Sequence, residues 1–148
     1  MEYSAHELFL KKVMVIDDNP SDRYIADFLI GHEKFASETI QQESAPKALH
    51  YLKGLEESPE EMPEMIFLDI KMPEMDGFEF LNEFKLFPET LRTRCRIIML
   101  SSSMDPEDKL RASKEPEVFG FISKPIDKEK LEALRSEFSS LKIGAPAL

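Results

Sequence analysis

Four short apolar runs in this chain each lead into a reactive polar residue. Val13-Met14-Val15-Ile16 meets Asp17-Asp18, Met65-Ile66-Phe67-Leu68 meets Asp69, and Ile97-Ile98-Met99-Leu100 meets Ser101. The run from Val118 to Ile122 is followed by Lys124-Pro125. Short, continuous apolar runs are the pattern of strands buried on both faces. A fifth run, loosely alternating within Phe35 to Gln42, reads as an edge strand.

Helical patterns fill the intervals. Asn19-Pro20 is a cap followed by a first-turn proline, predicting a helix to about Ile30 with Gly31 as its stop. Tyr24, Ile25, Phe28 and Leu29 form its expected inner face. Ser44 caps a second helix bearing Ala45, Ala48, Leu49 and Leu52, ended by Gly54. A third spans Gly77 to Phe87, with Phe78, Leu81 and Phe84 inward. Asp105-Pro106 opens a short fourth helix with Leu110 and Ala112. Asp127 caps the last, with Leu131, Leu134, Phe138 and Leu141 inward. Leu55 to Glu64 reads as a solvated acidic loop, Pro88 to Arg94 as a polar connection, and Gly144 to Leu148 as a tail. Strands alternating with helices imply an α/β fold, a doubly wound parallel sheet with right-handed crossovers. A length of 148 residues suits one domain, with a core of about 11–142.

The net charge of −10, with no basic cluster, argues against a nucleic-acid surface and for protein or cation partners. Cys95 is the only cysteine, which excludes an intramolecular disulfide and fits a reducing compartment. Lying between Arg94 and Arg96 with no base beside it, it reads as an ordinary surface or strand-edge thiol. No apolar stretch approaches membrane-spanning length and no signal-peptide pattern opens the chain, so cytoplasm is expected. His6, His32 and His50 have no partners at metal-ligand spacing and read as solvated. Met72 and Met75 read as loop packing.

In a doubly wound sheet, ligands bind beyond the carboxyl ends of the strands. Asp17, Asp18, Asp69, Ser101 and Lys124 all fall there. Carboxylates held close repel one another, which raises pKa values or calls for a cation. Mg²⁺ suits a site of few protein carboxylates and several waters. Such a metal bridges a carboxylate and a phosphoryl oxygen. Lys124 adds a second positive charge, and the Ser101 hydroxyl can donate to another phosphoryl oxygen. Asp69 would be the nucleophile, forming an acyl phosphate.

Leu-Asp-Ile-Lys-Met-Pro-Glu-Met-Asp-Gly (Leu68 to Gly77), Ile-Asp-Asp (Ile16 to Asp18), Met-Leu-Ser-Ser (Met99 to Ser102) and Ser-Lys-Pro (Ser123 to Pro125) together resemble the receiver domain of two-component response regulators. The resemblance implies a flavodoxin-like sheet in the order 2-1-3-4-5. It also implies that Asp69 is the phosphoacceptor, Asp18 a metal ligand and Asp17 a ligand acting mainly through water. The backbone carbonyl of Lys71 would be the third protein ligand. Ser101 would turn toward the phosphoryl group, Lys124 would contact it, and Lys124-Pro125 would be a cis peptide. Phe121 stands at the family's aromatic switch position. The expected protein is a stand-alone switch, not an enzyme, phosphorylated by a histidine kinase or phosphotransfer protein with Mg²⁺ and catalysing its own phosphorylation and dephosphorylation. Output would pass by protein contact, to a downstream target or a second copy, through the face of 105–114, 118–122 and 127–141. One alternative is a degenerate receiver acting as a constitutive adaptor. Another is a haloacid-dehalogenase-like phosphatase, which needs an acid two residues after the nucleophile, where Lys71 stands here.

Overall fold

The computed structural model of the chain describes residues 9–144. Five strands lie in one parallel sheet: β1 (Leu10–Ile16), β2 (Ala36–Gln42), β3 (Met65–Asp69), β4 (Arg96–Ser101) and β5 (Val118–Ser123). Their order is β2-β1-β3-β4-β5. Six helices are present among the described residues: α1 (Pro20–His32), α2 (Ala45–Lys53), α3 (Gly77–Phe84), α4 (Glu89–Arg92), α5 (Pro106–Ser113) and α6 (Lys128–Gly144). A 3-10 turn covers Pro59–Glu61.

Strand alternation divides the apolar runs between two cores. Met14, Ile16, Ile66, Leu68, Ile97 and Met99 point to the side covered by α2, α3, α4 and α5. Val13, Val15, Met65, Phe67, Ile98 and Leu100 point to the side covered by α1 and α6. Each central strand therefore needs apolar residues at every position, which is why these runs do not alternate with polar residues. Register Ile16↔Leu68 and Asp69↔Leu100 brings the strands' carboxyl ends to one level.

Several expectations are corrected. The α1 helix buries Ala26 and Ile30, while Tyr24 (70% exposed), Ile25 and Phe28 (56%) face outward. A helix resting on a sheet buries a narrow stripe and needs a small residue at closest approach, a role Ala26 fills. Gly31 does not stop α1. It lies inside the last turn, and Lys34 takes the left-handed conformation (φ 55°) beyond it. His32 stacks on Phe28. The α3 helix ends at Phe84, not Phe87, and the expected connection at Pro88 to Arg94 contains α4, which buries Leu91. Leu110 is exposed, so α5 contributes Ala112 alone to the core. Cys95 is buried, not a surface thiol, and burial pushes its pKa well above the usual thiol range. The acidic loop is not merely solvated. Glu61 pairs with Lys12 at 2.9 Å, and Glu64 Oε1 accepts from the Lys11 N–H at 2.7 Å. Gly144 belongs to α6 and does not open a tail. The expectations for His6, the Leu141 side chain and 145–148 lie outside the described residues.

The turn from β3 into α3 has no room to spare. The Gly77 N–H donates to the Ile70 carbonyl at 2.8 Å. A Cβ built on Gly77 would stand 2.8 Å from the Asp69 carbonyl oxygen and 3.0 Å from the Ile70 Cα. Both are backbone atoms, so the clash cannot be relieved by rotating a side chain. Gly77→Ala is therefore expected to cost ~1–3 kcal/mol of stability, read by urea denaturation. Gly31→Ala, whose Cβ meets nothing within 4 Å, is expected to be neutral or slightly stabilising.

Candidate functional site

The carboxyl edge of the sheet gathers residues that lie far apart in the chain. Asp17 follows β1 at once, and its backbone N–H donates to the Gln42 carbonyl at 3.1 Å. Asp69 ends β3. Its neighbour Ile70 donates to the Leu100 carbonyl at 3.0 Å, fixing the exit of the strand. Ser101 ends β4, and the Lys124 N–H donates to its carbonyl at 2.9 Å. The Lys124–Pro125 peptide is cis.

Asp17, Asp18 and Asp69 each place a carboxylate oxygen within 4.8 Å of the others. Asp17 (1% exposed) and Asp69 (4%) are buried, whereas Asp18 is exposed. Both oxygens of Asp17 are engaged. Oδ1 accepts from the Asn19 N–H at 2.9 Å, and Oδ2 accepts from Lys124 Nζ at 3.0 Å. Lys124 Nζ also donates to Asp22 Oδ2 at 2.9 Å and stands 3.4 Å from Asp69 Oδ1. One ammonium thus faces three carboxylates.

Burial pushes the Asp69 carboxyl up to about 7, reinforced by the Asp17 charge and opposed by Lys124 and the Lys71 backbone N–H. Burial works against the Lys124 ammonium, but hydrogen bonds to Asp22 and Asp17 outweigh it and hold the group above the usual lysine range. The residual repulsion among three close carboxylates, all oxygen donors, fits a hard divalent cation.

Ser101 is buried. Its Oγ accepts from the Met104 N–H at 2.8 Å and from the Ser103 N–H at 3.2 Å. Its hydroxyl proton can still be donated. Phe121 is half-buried and packs against the α2/α3/α5 core. Lys71 is exposed and lines an open cleft of about 430 Å³ with Met72, Asp76, Phe78, Asp108 and Arg111. The structure therefore brings Asp17, Asp18, Asp69 and Lys124 into one cluster, with Ser101 at the end of the adjoining strand. Asp22 and Arg23 escaped sequence reasoning. An acid in a first helical turn reads as a partner of the helix dipole. Arg23, whose guanidinium donates to the Asp17 carbonyl at 2.7 Å, reads as a solvated cation.

The chain matches the response regulator receiver domain family over residues 13–135. It belongs to that family. It is 29% identical over 127 residues to the two-component response regulator ORR1 of Oryza sativa subsp. japonica, with 84% of this chain aligned. The chain spans only 54% of that rice protein. It is 25% identical over 132 residues to sporulation initiation phosphotransferase F of Bacillus subtilis strain 168, covering 89% of this chain and 96% of that one. A two-component response regulator of Cytophaga hutchinsonii superposes with a TM-score of 0.81 at 26% identity, covering 88% of this chain and 97% of that chain. Receiver domains are generally signalling regulators rather than enzymes, they interact with histidine kinases or phosphotransfer proteins, and they bind Mg²⁺ at an acidic pocket. Asp17, Asp18 and Asp69 form an acidic cluster here. Among the described residues no helix is long and apolar enough to cross a membrane.

The raised Asp69 pKa has a signed consequence for stability. Its carboxyl titrates near 7 in the folded protein and near ~3.9 unfolded, so its contribution is fully present below about pH 4 and is lost as pH rises through about 7. In EDTA, Asp69→Asn is expected to gain more stability over wild type at about pH 8 than at about pH 4.5. Urea denaturation at the two pH values measures it.

Proposed function

We infer that the chain is a phosphorylation-dependent switch that accepts a phosphoryl group on Asp69 from a histidine kinase or phosphotransfer protein. The observation that carries this reading is the Lys124 ammonium, 3.4 Å from a buried Asp69 carboxylate beside a cluster able to hold a cation. An Asp69 oxygen forms the new P–O bond. The donor's bond to phosphorus breaks, and its electron pair leaves with the donor group. Mg²⁺ held by Asp17, Asp18, Asp69 and the Lys71 carbonyl would neutralise charge on the phosphoryl oxygens. Lys124 supplies the second cation, and the Ser101 hydroxyl donates to a further oxygen. Catalysis by such a site is mainly positioning and charge neutralisation, so the protein can serve as its own catalyst for phosphoryl gain and loss.

Signal then leaves by protein contact. Withdrawal of Ser101 toward the phosphoryl group releases the Ser103 and Met104 amides of the loop that precedes α5, and Phe121 repacks behind it. The output face is α5, β5 and α6, presented to a downstream target or a second copy. The buried free thiol of Cys95 is compatible with work in the cytoplasm. A haloacid-dehalogenase-like phosphatase is disfavoured by Lys71 at the position where that family needs its second acid, and a constitutive adaptor by the complete set of charged site residues.

With acetyl phosphate and Mg²⁺, the wild-type chain is expected to gain one phosphoryl group and Asp69→Asn none, read by intact mass. An undiminished phosphorylated fraction in Asp69→Asn would place the acceptor elsewhere. Mg²⁺ affinity should fall further in Asp18→Asn than in Asp17→Asn. Asp18 has an exposed carboxylate, whereas both oxygens of Asp17 already accept hydrogen bonds. Equal losses in a metal titration would refute that ranking.

A further inference from the structure

Resting on that reading, we propose that Asp22 is a positioning residue for phosphoryl transfer, its carboxylate holding the Lys124 ammonium over the Asp69 pocket. An ammonium has three N–H donors. The two shorter contacts of Lys124 go to Asp22 Oδ2 at 2.9 Å and Asp17 Oδ2 at 3.0 Å, and the third side of the group faces Asp69 Oδ1 at 3.4 Å. These holds are not equivalent. Asp17 and Asp69 belong to the acid cluster, so any cation bound there competes with Lys124 for their oxygens. Asp22 lies outside that cluster and remains available to the lysine.

Asp22 is itself fixed in place. Its backbone N–H donates to the Asn19 side chain at 3.1 Å, capping α1, and Pro20 stands in the first turn. The adjacent Arg23 guanidinium binds the Asp17 carbonyl at 2.7 Å, tying the same turn to the end of β1. The first turn of α1 thus holds a side chain 102 residues away. During transfer the Asp69 oxygen gains its bond to phosphorus, and the donor's P–O bond breaks with its electron pair going to the departing acetate. No proton needs to come from Lys124. The ammonium stays whole, and its Asp69-facing N–H moves to a phosphoryl oxygen while the Asp22 bond persists. The opposite role, a competitor that keeps Lys124 from the phosphoryl group, predicts the opposite sign on removal.

The test uses the full chain, acetyl phosphate and Mg²⁺, in wild type, Asp22→Ala, Asp22→Asn, Lys124→Ala and the double variant Asp22→Ala/Lys124→Ala. Asp22 is partly exposed, so solvent moderates the effect, and Asp22→Ala is expected to lower the limiting phosphorylation rate about five-fold. The acetyl phosphate concentration giving half the limiting rate should change little. Asp22→Asn keeps an acceptor oxygen and should recover most of the rate. In the Lys124→Ala background, Asp22→Ala should have no further effect, since the cycle isolates the pair. A readout independent of turnover is the Lys124 ammonium NMR signal in the presence of Mg²⁺, which should persist in wild type and broaden through faster exchange in Asp22→Ala. An Asp22→Ala rate equal to or above wild type would overturn the proposal. So would the same slowing without Lys124, or an unchanged ammonium signal. Phosphorylation of Asp69→Asn at the wild-type level would overturn the underlying reading instead, and is scored in a separate arm.

Discussion

The arrangement at the carboxyl edge of the sheet depends on how one half-buried cation is shared among carboxylates that repel one another. Asp17 and Asp69 are almost wholly buried, and two such charges are tolerable only when compensated. Lys124 supplies part of the compensation through contacts to Asp17, Asp22 and Asp69. It is incomplete, as the elevated Asp69 carboxyl indicates. A site in this condition has unspent affinity for positive charge. The fold therefore keeps the Asp69 carboxylate under electrostatic tension, and a cation or a change in its charge can relieve that tension.

Holding the tension requires a rigid frame, and the two cores provide it. The central strands β1, β3 and β4 are buried on both faces, so a shift of one residue would bring no apolar side chain to the surface but would still misplace every residue at the carboxyl edge. Close fits set the register. Gly77 lets α3 start against the Asp69 carbonyl, and the Asp76–Glu79 capping box closes its first turn, with Glu79 N–H to Asp76 Oδ1 at 2.8 Å. Lys124 is placed from the other side by its own N–H on the Ser101 carbonyl. The rim is built from loops, but each loop is anchored within a residue or two of a central strand.

That division explains what could be read in the sequence. Strand ends were legible because an apolar run followed by Asp, Ser or Lys marks where burial stops, and burial on both faces leaves few alternatives. The strand order followed from resemblance to a family, since periodicity carries no information on which strands pair. The face of α1 is not legible, because Tyr24, Ile25 and Phe28 are apolar enough to suggest a core while packing on the sheet buries Ala26 and Ile30. The arginine neighbours of Cys95 leave a surface and a strand-edge thiol equally readable, and the entry to β4 turns it inward. Asp22 was invisible for a different reason. Its partner lies at the far end of the chain, and the short-range rules for a first-turn acid already accounted for it.

In the proposed switch, the chemistry and the output would share a hydroxyl. Ser101 Oγ spends its lone pairs on the Ser103 and Met104 amides, and Met104 sits in the left-handed region (φ 54°) that a side chain adopts at a cost. Those two hydrogen bonds help to hold the loop in that conformation. A group that draws the hydroxyl toward Asp69 weakens them and frees the loop to relax, two residues before the Asp105 cap of α5 begins to set the direction of that helix. The coupling needs no long pathway, because the same oxygen that would bind the phosphoryl group already holds the start of the element that would move. Phe121, half-buried on the neighbouring strand in register with Met99, lies against the same core. In the proposed switch, a local change of charge on Asp69 would thereby be exchanged for a change in backbone geometry a few residues away.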